Sequence, residues 1–183
     1  MNNVFLIGYR CTGKTSAGRT LAAKLGWTFV DSDRVIGAEI GCSIADFIAS
    51  NGWAAFRETE RKVIARLSEM GRQVVAAGGG AVTATENVVR MRSSGTVIWL
   101  QASPDAIRTR MQADTGTAGN RPSLTGQGRL KEIAAVLDAR KPLYAGAAHY
   151  RIDTGDLNSD EVVEKIIDII ESDATIEQTG NPT

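Results

Sequence analysis

The sequence lacks the features that are typical of secreted proteins and of membrane proteins. It has only two cysteines in 183 residues, Cys11 and Cys42, and they form no C-x-x-C pair. No stretch approaches the roughly 18 consecutive apolar residues that span a bilayer, and the first residues lack the basic and apolar regions of an export signal. The length suits one domain. We therefore expect a single cytoplasmic domain with reduced thiols.

An excess of charge of one sign is also absent. Lys and Arg number 21, and Asp and Glu number 21. Without a global positive field the chain has no general means of attracting nucleic acid or an anionic membrane. We expect neither partner, and any anionic small-molecule substrate must be bound by a local cluster. The sequence carries no signal for oligomerisation, and a monomer is the default expectation.

Short apolar runs alternate with amphipathic segments along most of the chain. The apolar runs, rich in β-branched residues, predict strands at 4–7, 28–30, 74–77, 96–100 and 150–152. Helical periodicity falls at 14–25, 43–50, 53–70, 84–92, 103–112, 128–140 and 159–171. This alternation predicts an α/β fold with three layers, in which helices flank a five-stranded parallel sheet.

Two segments break this pattern. Residues 113–126 are rich in Thr, Gly, Asn and Pro and have no apolar periodicity, which predicts a long mobile loop. Loops of that length are often active-site lids, although a plain surface insertion is the alternative. The domain should then cover residues 1–172, with a disordered polar tail at 173–183.

A phosphate-binding motif follows the first predicted strand. Residues 8–15 match G-x-x-x-x-G-K-[ST] and lead into a helical pattern. Successive backbone N–H groups and the helix dipole of such a loop cradle phosphates. Lys14 should reach the β- and γ-phosphates, and the Thr15 hydroxyl should bind Mg²⁺. The residues predicted to contact the nucleotide here are Gly8, Arg10, Cys11, Thr12, Gly13, Lys14, Thr15 and Ser16.

Two carboxylates stand at the end of the second predicted strand. Asp31 and Asp33 are two positions apart, which would place them on one side of the strand at the carboxyl edge of the sheet. One such acid can hold Mg²⁺ through water, and another can act as the general base for an attacking hydroxyl. The alternative is a helix cap, but next to a phosphate loop we favour the functional interpretation.

Further candidates lie beyond these motifs. Arg57 belongs to a charged helix whose charges could all face solvent. Three glycines, 78–80, follow the third strand and either approach a ligand closely or form a flexible turn. Arg121 precedes a proline in the lid candidate, and Arg140 ends a predicted helix. Planar guanidinium groups suit carboxylates and phosphates. The third strand does not end in the aspartate of many phosphate-loop ATPases.

The ordered set of motifs resembles the shikimate kinases over roughly residues 4–170. The matching motifs, in order, are the phosphate loop, Asp31-Ser32-Asp33, Phe56-Arg57-x-x-Glu60, Gly78-Gly79-Gly80, Arg121-Pro122 and Arg140-x-x-x-Tyr144. The sequence at 121–126 looks like the lid of the second isoenzyme type. The resemblance implies a kinase that transfers the γ-phosphate of ATP to the 3-hydroxyl of shikimate, with Mg²⁺, in the pathway to aromatic amino acids.

The resemblance also implies roles for individual residues on the acceptor side. Arg57 and Arg140 would grip the shikimate carboxylate, and Asp33 would hold ring hydroxyls and act as the base. The acceptor would also contact the glycine triplet, Gly78, Gly79 and Gly80.

On the nucleotide side, the resemblance implies that Lys14 and Arg121 stabilise charge on the transferring phosphoryl group. Asp31 would assist Mg²⁺ through water, and Arg110 would pack near the adenine.

Two positions depart from the family pattern. Ile48 stands where the family often has Phe in the acceptor pocket, and Ser123 replaces an apolar lid residue.

Two other functions stay open. The first alternative is another small-metabolite kinase, of the gluconate or nucleoside monophosphate type. The second is a nucleotide-binding regulator that moves its lid without catalysis.

Overall fold

A computed structural model describes the backbone of residues 3–113 and 129–179, with side chains for 3–113 and 133–173. The predicted lid, apart from its first residue, lies outside the described residues, as do Arg121 and Ser123.

The sheet has five parallel strands, as predicted. They are β1 (Asn3–Ile7), β2 (Thr28–Asp31), β3 (Gln73–Ala76), β4 (Gly95–Gln101) and β5 (Tyr150–Asp153). Their order across the sheet is β2-β3-β1-β4-β5. Strands β2 and β3 lie on one side of β1, whereas β4 and β5 lie on the other. The direction in which strands are added therefore reverses beside β1. Open α/β sheets bind ligands beyond the carboxyl ends of the strands at such a reversal.

Helices cover both faces of the sheet, and with it they form the predicted three layers. They are α1 (Lys14–Leu25), α2 (Ser32–Ile40), α3 (Ile44–Glu69), α4 (Thr85–Ser94), α5 (Pro104–Ala113), α6 (Arg129–Ala147) and α7 (Ser159–Thr179). A short 3₁₀ helix, Ala81–Thr83, follows the glycine triplet. None of the helices in the described ranges is long and apolar enough to cross a bilayer.

The two helices predicted at 43–50 and 53–70 are confirmed within α3, because the backbone at Gly52 is non-helical, with a φ of 81°. The helix boundaries differ from the predictions at three places. The first is α2, which no sequence pattern predicted and whose nine residues follow β2 without a loop. Helix α6 continues through Pro142 to Ala147, because buried Tyr144 and Ala147 pack there and offset the lost backbone hydrogen bond. Helix α7 extends to Thr179, so the predicted tail begins inside a helix.

Alternate residues of β1 pack into two different cores. Phe5 and Ile7 face one side, where α3 contributes Val63 and Ile64. Val4 and Leu6 face the other, where α1 and α7 contribute the apolar residues Leu21, Val163 and Ile166. This alternation follows from the two-residue period of a strand. Because β1 is buried on both faces, the phosphate loop that follows it starts from a rigid position.

The backbones of β1 and β4 lie too close together at Gly95 to admit a side chain. A Cβ on Gly95 would lie 2.1 Å from the backbone oxygen of Asn3 on β1, so Gly95→Ala must displace β4. We expect a loss of about 1–3 kcal/mol in the free energy of unfolding in urea. In contrast, a Cβ on Gly37 inside α2 meets nothing within 4 Å. The control Gly37→Ala should therefore stabilise by about 0.5–1 kcal/mol. Equal effects would contradict this packing.

Candidate active site

The phosphate loop connects β1 to α1 and requires glycine at its first position. Gly8 has a φ of 138°, and a Cβ there would lie 2.2 Å from the carbonyl oxygen of Leu100. Gly13 has a φ of 93° and caps α1 without any side-chain hydrogen bond. The first N–H groups of α1 therefore keep no side-chain cap, as expected of a helix end that binds phosphate.

Hydrogen bonds within the loop fix its shape. The Lys14 ammonium donates to the carbonyl oxygens of Gly8 and Tyr9, at 2.8 and 2.6 Å. The Thr12 hydroxyl also donates to the Tyr9 carbonyl, at 2.8 Å. These contacts hold a positive charge against the loop, at the position where the motif expects it beside phosphate.

Thr15 and Asp31, the two predicted magnesium ligands, lie together. The Thr15 hydroxyl donates to Oδ2 of Asp31 at 3.2 Å. The other carboxylate oxygen, Oδ1, accepts from the backbone N–H of Asp33 at 3.1 Å and of Arg34 at 3.4 Å. Asp31 is therefore the N-cap of α2, as the alternative interpretation predicts, and its role toward Mg²⁺ stays a prediction. A hydroxyl and a carboxylate oxygen are the hard donors that Mg²⁺ prefers.

The predicted placement of Asp31 and Asp33 on one side of a strand is wrong. The strand ends at Asp31 and the chain turns directly into α2, so Asp33 belongs to a helix. The turn is fixed by Ser32, which is fully buried and accepts a hydrogen bond from the Gly78 N–H at 2.9 Å. Asp33 reaches the pocket from α2, and the sequence analysis gave Ser32 no role.

A pocket of about 590 Å³, part of it open to solvent, lies beside the loop. It brings together every acceptor-side residue that the sequence analysis named in the described ranges. Its lining residues are Tyr9, Arg10, Asp33, Ile44, Ile48, Trp53, Phe56, Arg57, Glu60, Gly78, Gly79, Gly80 and Arg140.

Arg57 is held on one wall of the pocket by three side chains of its own helix. Its guanidinium donates to Oε2 of Glu60 at 2.6 Å. The same group lies 5.4 Å from the ring centroid of Trp53 and 5.2 Å from that of Phe56, within cation–π range. Arg57 is thus not a solvated surface charge. Its orientation is set before any ligand arrives, with part of the side chain still exposed.

Glu60 is the buried partner of this arginine and has only 1 % of its side chain exposed. Burial raises the pKa of Glu60, and the nearby Asp33 adds to the rise, whereas the Arg57 guanidinium opposes it. In the sequence, Glu60 stands out only as part of the Phe56-Arg57-x-x-Glu60 motif. The i,i+3 spacing from Arg57 was the available signal for the pair, but other acids on the helix have similar spacings.

The glycine triplet approaches the charged residues closely. A Cβ on Gly78 would lie 2.6 Å from Oδ1 of Asp33, and one on Gly80 would lie 2.4 Å from the guanidinium of Arg57. These contacts favour close approach over a merely flexible turn.

The Gly79 carbonyl is held from α6. It accepts hydrogen bonds from Arg140, at 3.0 Å, and from the Tyr144 hydroxyl, at 2.5 Å. Burial raises the pKa of Tyr144 to about 12, so the phenol remains a donor at neutral pH. Arg140 is thereby fixed at the pocket rather than serving only the helix end.

Arg110 lies beside the phosphate loop and is not among the lining residues of the pocket, and its predicted contact with adenine stays a prediction. Its guanidinium donates to the carbonyl oxygens of Thr154 and Gly155 and to the Thr154 hydroxyl. The Thr154 hydroxyl in turn donates toward the Thr12 carbonyl at 3.2 Å. Arg110 therefore ties the segment after β5 to the phosphate loop. The sequence analysis missed Thr154, which no motif marks.

The fold and the site together define a class of protein. A phosphate cradle with a lysine lies beside a pocket that holds a carboxylate and fixed arginines. Such a pair of sites can hold an anionic molecule so that one of its hydroxyl groups lies in line with the terminal phosphate of a nucleotide. The protein is a phosphate-loop kinase of a small molecule.

Comparison with known proteins narrows this class to one family. The family model described as shikimate kinase matches residues 10–171. A shikimate kinase of Symbiobacterium thermophilum is 42% identical over 166 residues, covering 91% of this chain and 94% of that protein. One of Oleidesulfovibrio alaskensis is 43% identical over 153 residues, covering 84% and 88%. The solved shikimate kinase of Acinetobacter baumannii in complex with shikimate is 32% identical, with a TM-score of 0.87 and 94% of each chain covered. The chain belongs to the shikimate kinase family.

The raised pKa of Glu60 predicts a pH-dependent stability. A native carboxyl pKa above the unfolded value, near 4.5, stabilises the fold below that pKa, and this contribution is lost as pH rises through the native pKa. Urea unfolding of wild type and Glu60→Gln should therefore show wild type losing stability relative to the variant from pH 4.5 upward. The control is Glu58→Gln: because Arg61 lowers the pKa of exposed Glu58, wild type should lose stability relative to this variant only as pH falls below 4.5, and the difference should stay constant above it. A constant difference for Glu60→Gln would contradict the assignment.

Proposed function

We propose that this chain is a shikimate kinase that transfers the γ-phosphate of ATP to the 3-hydroxyl of shikimate, giving shikimate 3-phosphate and ADP. The observation that carries the proposal is the pocket beside the phosphate loop, where Asp33 lies with Arg57 and Arg140. A carboxylate and two guanidinium groups in one pocket suit a molecule with both a hydroxyl and a carboxylate. The family membership and the related structure with bound shikimate support this acceptor.

Arg57 and Arg140 are proposed to bind the acceptor's carboxylate. Both are fixed by the protein, Arg57 by Glu60 and two rings, and Arg140 by the Gly79 carbonyl. Fixed guanidinium groups lose less side-chain entropy on binding than mobile ones do. Their positions would orient the ring so that one hydroxyl faces the phosphate loop, next to the backbone of the glycine triplet.

Asp33 is proposed as the general base and as a ligand of the ring hydroxyls. The carboxylate lies at the pocket wall nearest Gly78. It would accept the proton of the attacking hydroxyl as the new O–P bond forms, while the bond between the β-phosphate oxygen and the γ-phosphorus breaks and leaves ADP. Lys14 would stabilise the negative charge on the transferring group, and Arg121 would add a second cation.

Mg²⁺ fits the oxygen donors of Thr15 and Asp31. We propose that these two residues hold it, Asp31 through water, together with phosphate oxygens of ATP. The ion would neutralise charge on the phosphates. The working enzyme is proposed to be a monomer in the cytoplasm, where ATP is available.

An assay of acceptors separates this function from its alternatives. The purified chain is given Mg-ATP with shikimate, quinate, gluconate or a nucleoside monophosphate, and ADP release is followed by a coupled assay. ADP release that depends on shikimate is expected, with little response to the others. A preference for gluconate or a nucleotide would assign another kinase of this fold, and no response to any acceptor would favour the regulator.

The roles of Lys14 and Asp33 predict large losses of turnover. Lys14→Ala and Asp33→Asn should each lower kcat by about a hundredfold or more, the scale of a lost charge or general base. Exposed Lys24→Ala and Asp105→Asn are matched controls and should stay near wild type. Near-normal turnover in either test variant would refute that residue's role.

The carboxylate-binding role predicts an effect on the acceptor alone. Arg57→Lys and Arg140→Lys keep the charge but lose the planar fork. They should raise the KM for shikimate about tenfold while leaving the KM for ATP within about twofold. Exposed Arg66→Lys, at an arginine that pairs with Glu39, serves as the control. An unchanged KM for shikimate in both test variants would remove the proposed carboxylate site.

A further inference from the structure

A third arginine, Arg10, lines the acceptor pocket. Its position in the motif predicts contact with the nucleotide, and that remains a prediction. In the structure, however, Arg10 lines the same pocket as Asp33, Arg57 and Arg140. Arg10 belongs to the phosphate loop, so its side chain stands at the boundary between the donor and acceptor sites.

The loop fixes the position of Arg10. The carbonyl oxygen of the preceding residue, Tyr9, accepts hydrogen bonds from Lys14 and Thr12, which holds the Tyr9–Arg10 peptide. The backbone nitrogen of Arg10 lies 3.8 Å from where a Cβ on Gly79 would be. The guanidinium lies 5.4 Å from the ring centroid of buried Tyr9. Arg10 therefore enters the pocket from the phosphate loop, next to Gly79.

The balance of charges in the pocket indicates what the Arg10 side chain could bind. Among the described lining residues are three arginines and two carboxylates, which leave one net positive charge when all are ionised. Glu60 offsets the charge of Arg57, and the acceptor's carboxylate, bound by Arg57 and Arg140, would offset the remaining net charge. After transfer the acceptor gains a phosphate with a charge of about −1.5 to −2 at pH 7. That new charge arises on the phosphate-loop side of the pocket, where Arg10 enters.

We propose that Arg10 binds the transferred phosphate on the acceptor, so that the pocket holds the phosphorylated product through a contact that the unphosphorylated acceptor lacks. The inference rests on the proposed function. It makes Arg10 a product-binding residue of the acceptor site, in addition to any role of its backbone in the nucleotide site.

Isothermal titration tests this with three ligands: shikimate 3-phosphate in the presence of ADP, shikimate alone, and ADP alone. Arg10→Met keeps the length of the side chain and removes its charge. It should weaken binding of shikimate 3-phosphate about tenfold or more, the scale of a hydrogen bond between charged groups. Binding of shikimate and of ADP should change by less than about threefold. Arg10→Lys should recover part of the loss, and exposed Arg90→Ala should show none.

The pH dependence gives a second readout that a folding defect would not produce. The second proton of a phosphate leaves near pH 6, so the affinity of wild type for shikimate 3-phosphate should rise between about pH 5.5 and 7. This rise should be smaller in Arg10→Met. Equal product affinity in wild type and Arg10→Met would overturn the inference, and so would a loss confined to ADP, which would assign Arg10 to the nucleotide alone.

The inference and the proposed function fail in different ways. If wild type neither phosphorylates shikimate nor binds its phosphate, the proposed function is wrong and the inference falls with it. If wild type does both and Arg10→Met binds the product equally well, only the role of Arg10 is wrong.

Discussion

The acceptor pocket depends on three consecutive residues without side chains, Gly78 to Gly80. Asp33 and Arg57 occupy the space that a Cβ on Gly78 or Gly80 would fill, and the carbonyl between them fixes Arg140. A side chain at either outer position would displace a charged group that the proposed reaction requires. Hydrogen bonds hold the same segment: Gly78 donates to buried Ser32, and Arg140 and Tyr144 of α6 donate to the Gly79 carbonyl.

The sheet places this segment beside the phosphate loop. Strand β3 pairs with β1, and the Ala77 N–H donates to the Leu6 carbonyl at 3.0 Å. The segments that follow these two strands therefore leave the sheet side by side. The donor and acceptor sites therefore share one edge, and their separation is set by the spacing of parallel strands. Buried Glu60 has a desolvation cost, which the contact with Arg57 offsets in part. In return the arginine has one orientation, which suits a reaction that depends on positioning.

The sequence predicts much of this arrangement, because its signals are local. Strand periods and the phosphate-loop motif are read from neighbouring residues, and all five strands lie where the pattern predicts them. Local signals do not reveal that α6 continues past Pro142, because the continuation depends on the burial of Tyr144 in the tertiary structure. They also miss Ser32 and Thr154, whose hydrogen bonds join segments 46 and 142 residues apart. The position of Arg10 in the acceptor pocket likewise follows from tertiary structure, since its motif indicates only the nucleotide.

The identity of the product tests the proposed phosphate transfer. The purified chain is incubated with Mg-ATP and shikimate, and the products are examined by ³¹P and ¹H NMR. We expect ADP and a phosphate monoester in equal amounts, with the phosphorus coupled to the proton on carbon 3 of the ring. Coupling to a different ring proton would show that the pocket orients the acceptor otherwise than proposed. ADP with inorganic phosphate and unchanged shikimate would contradict the account.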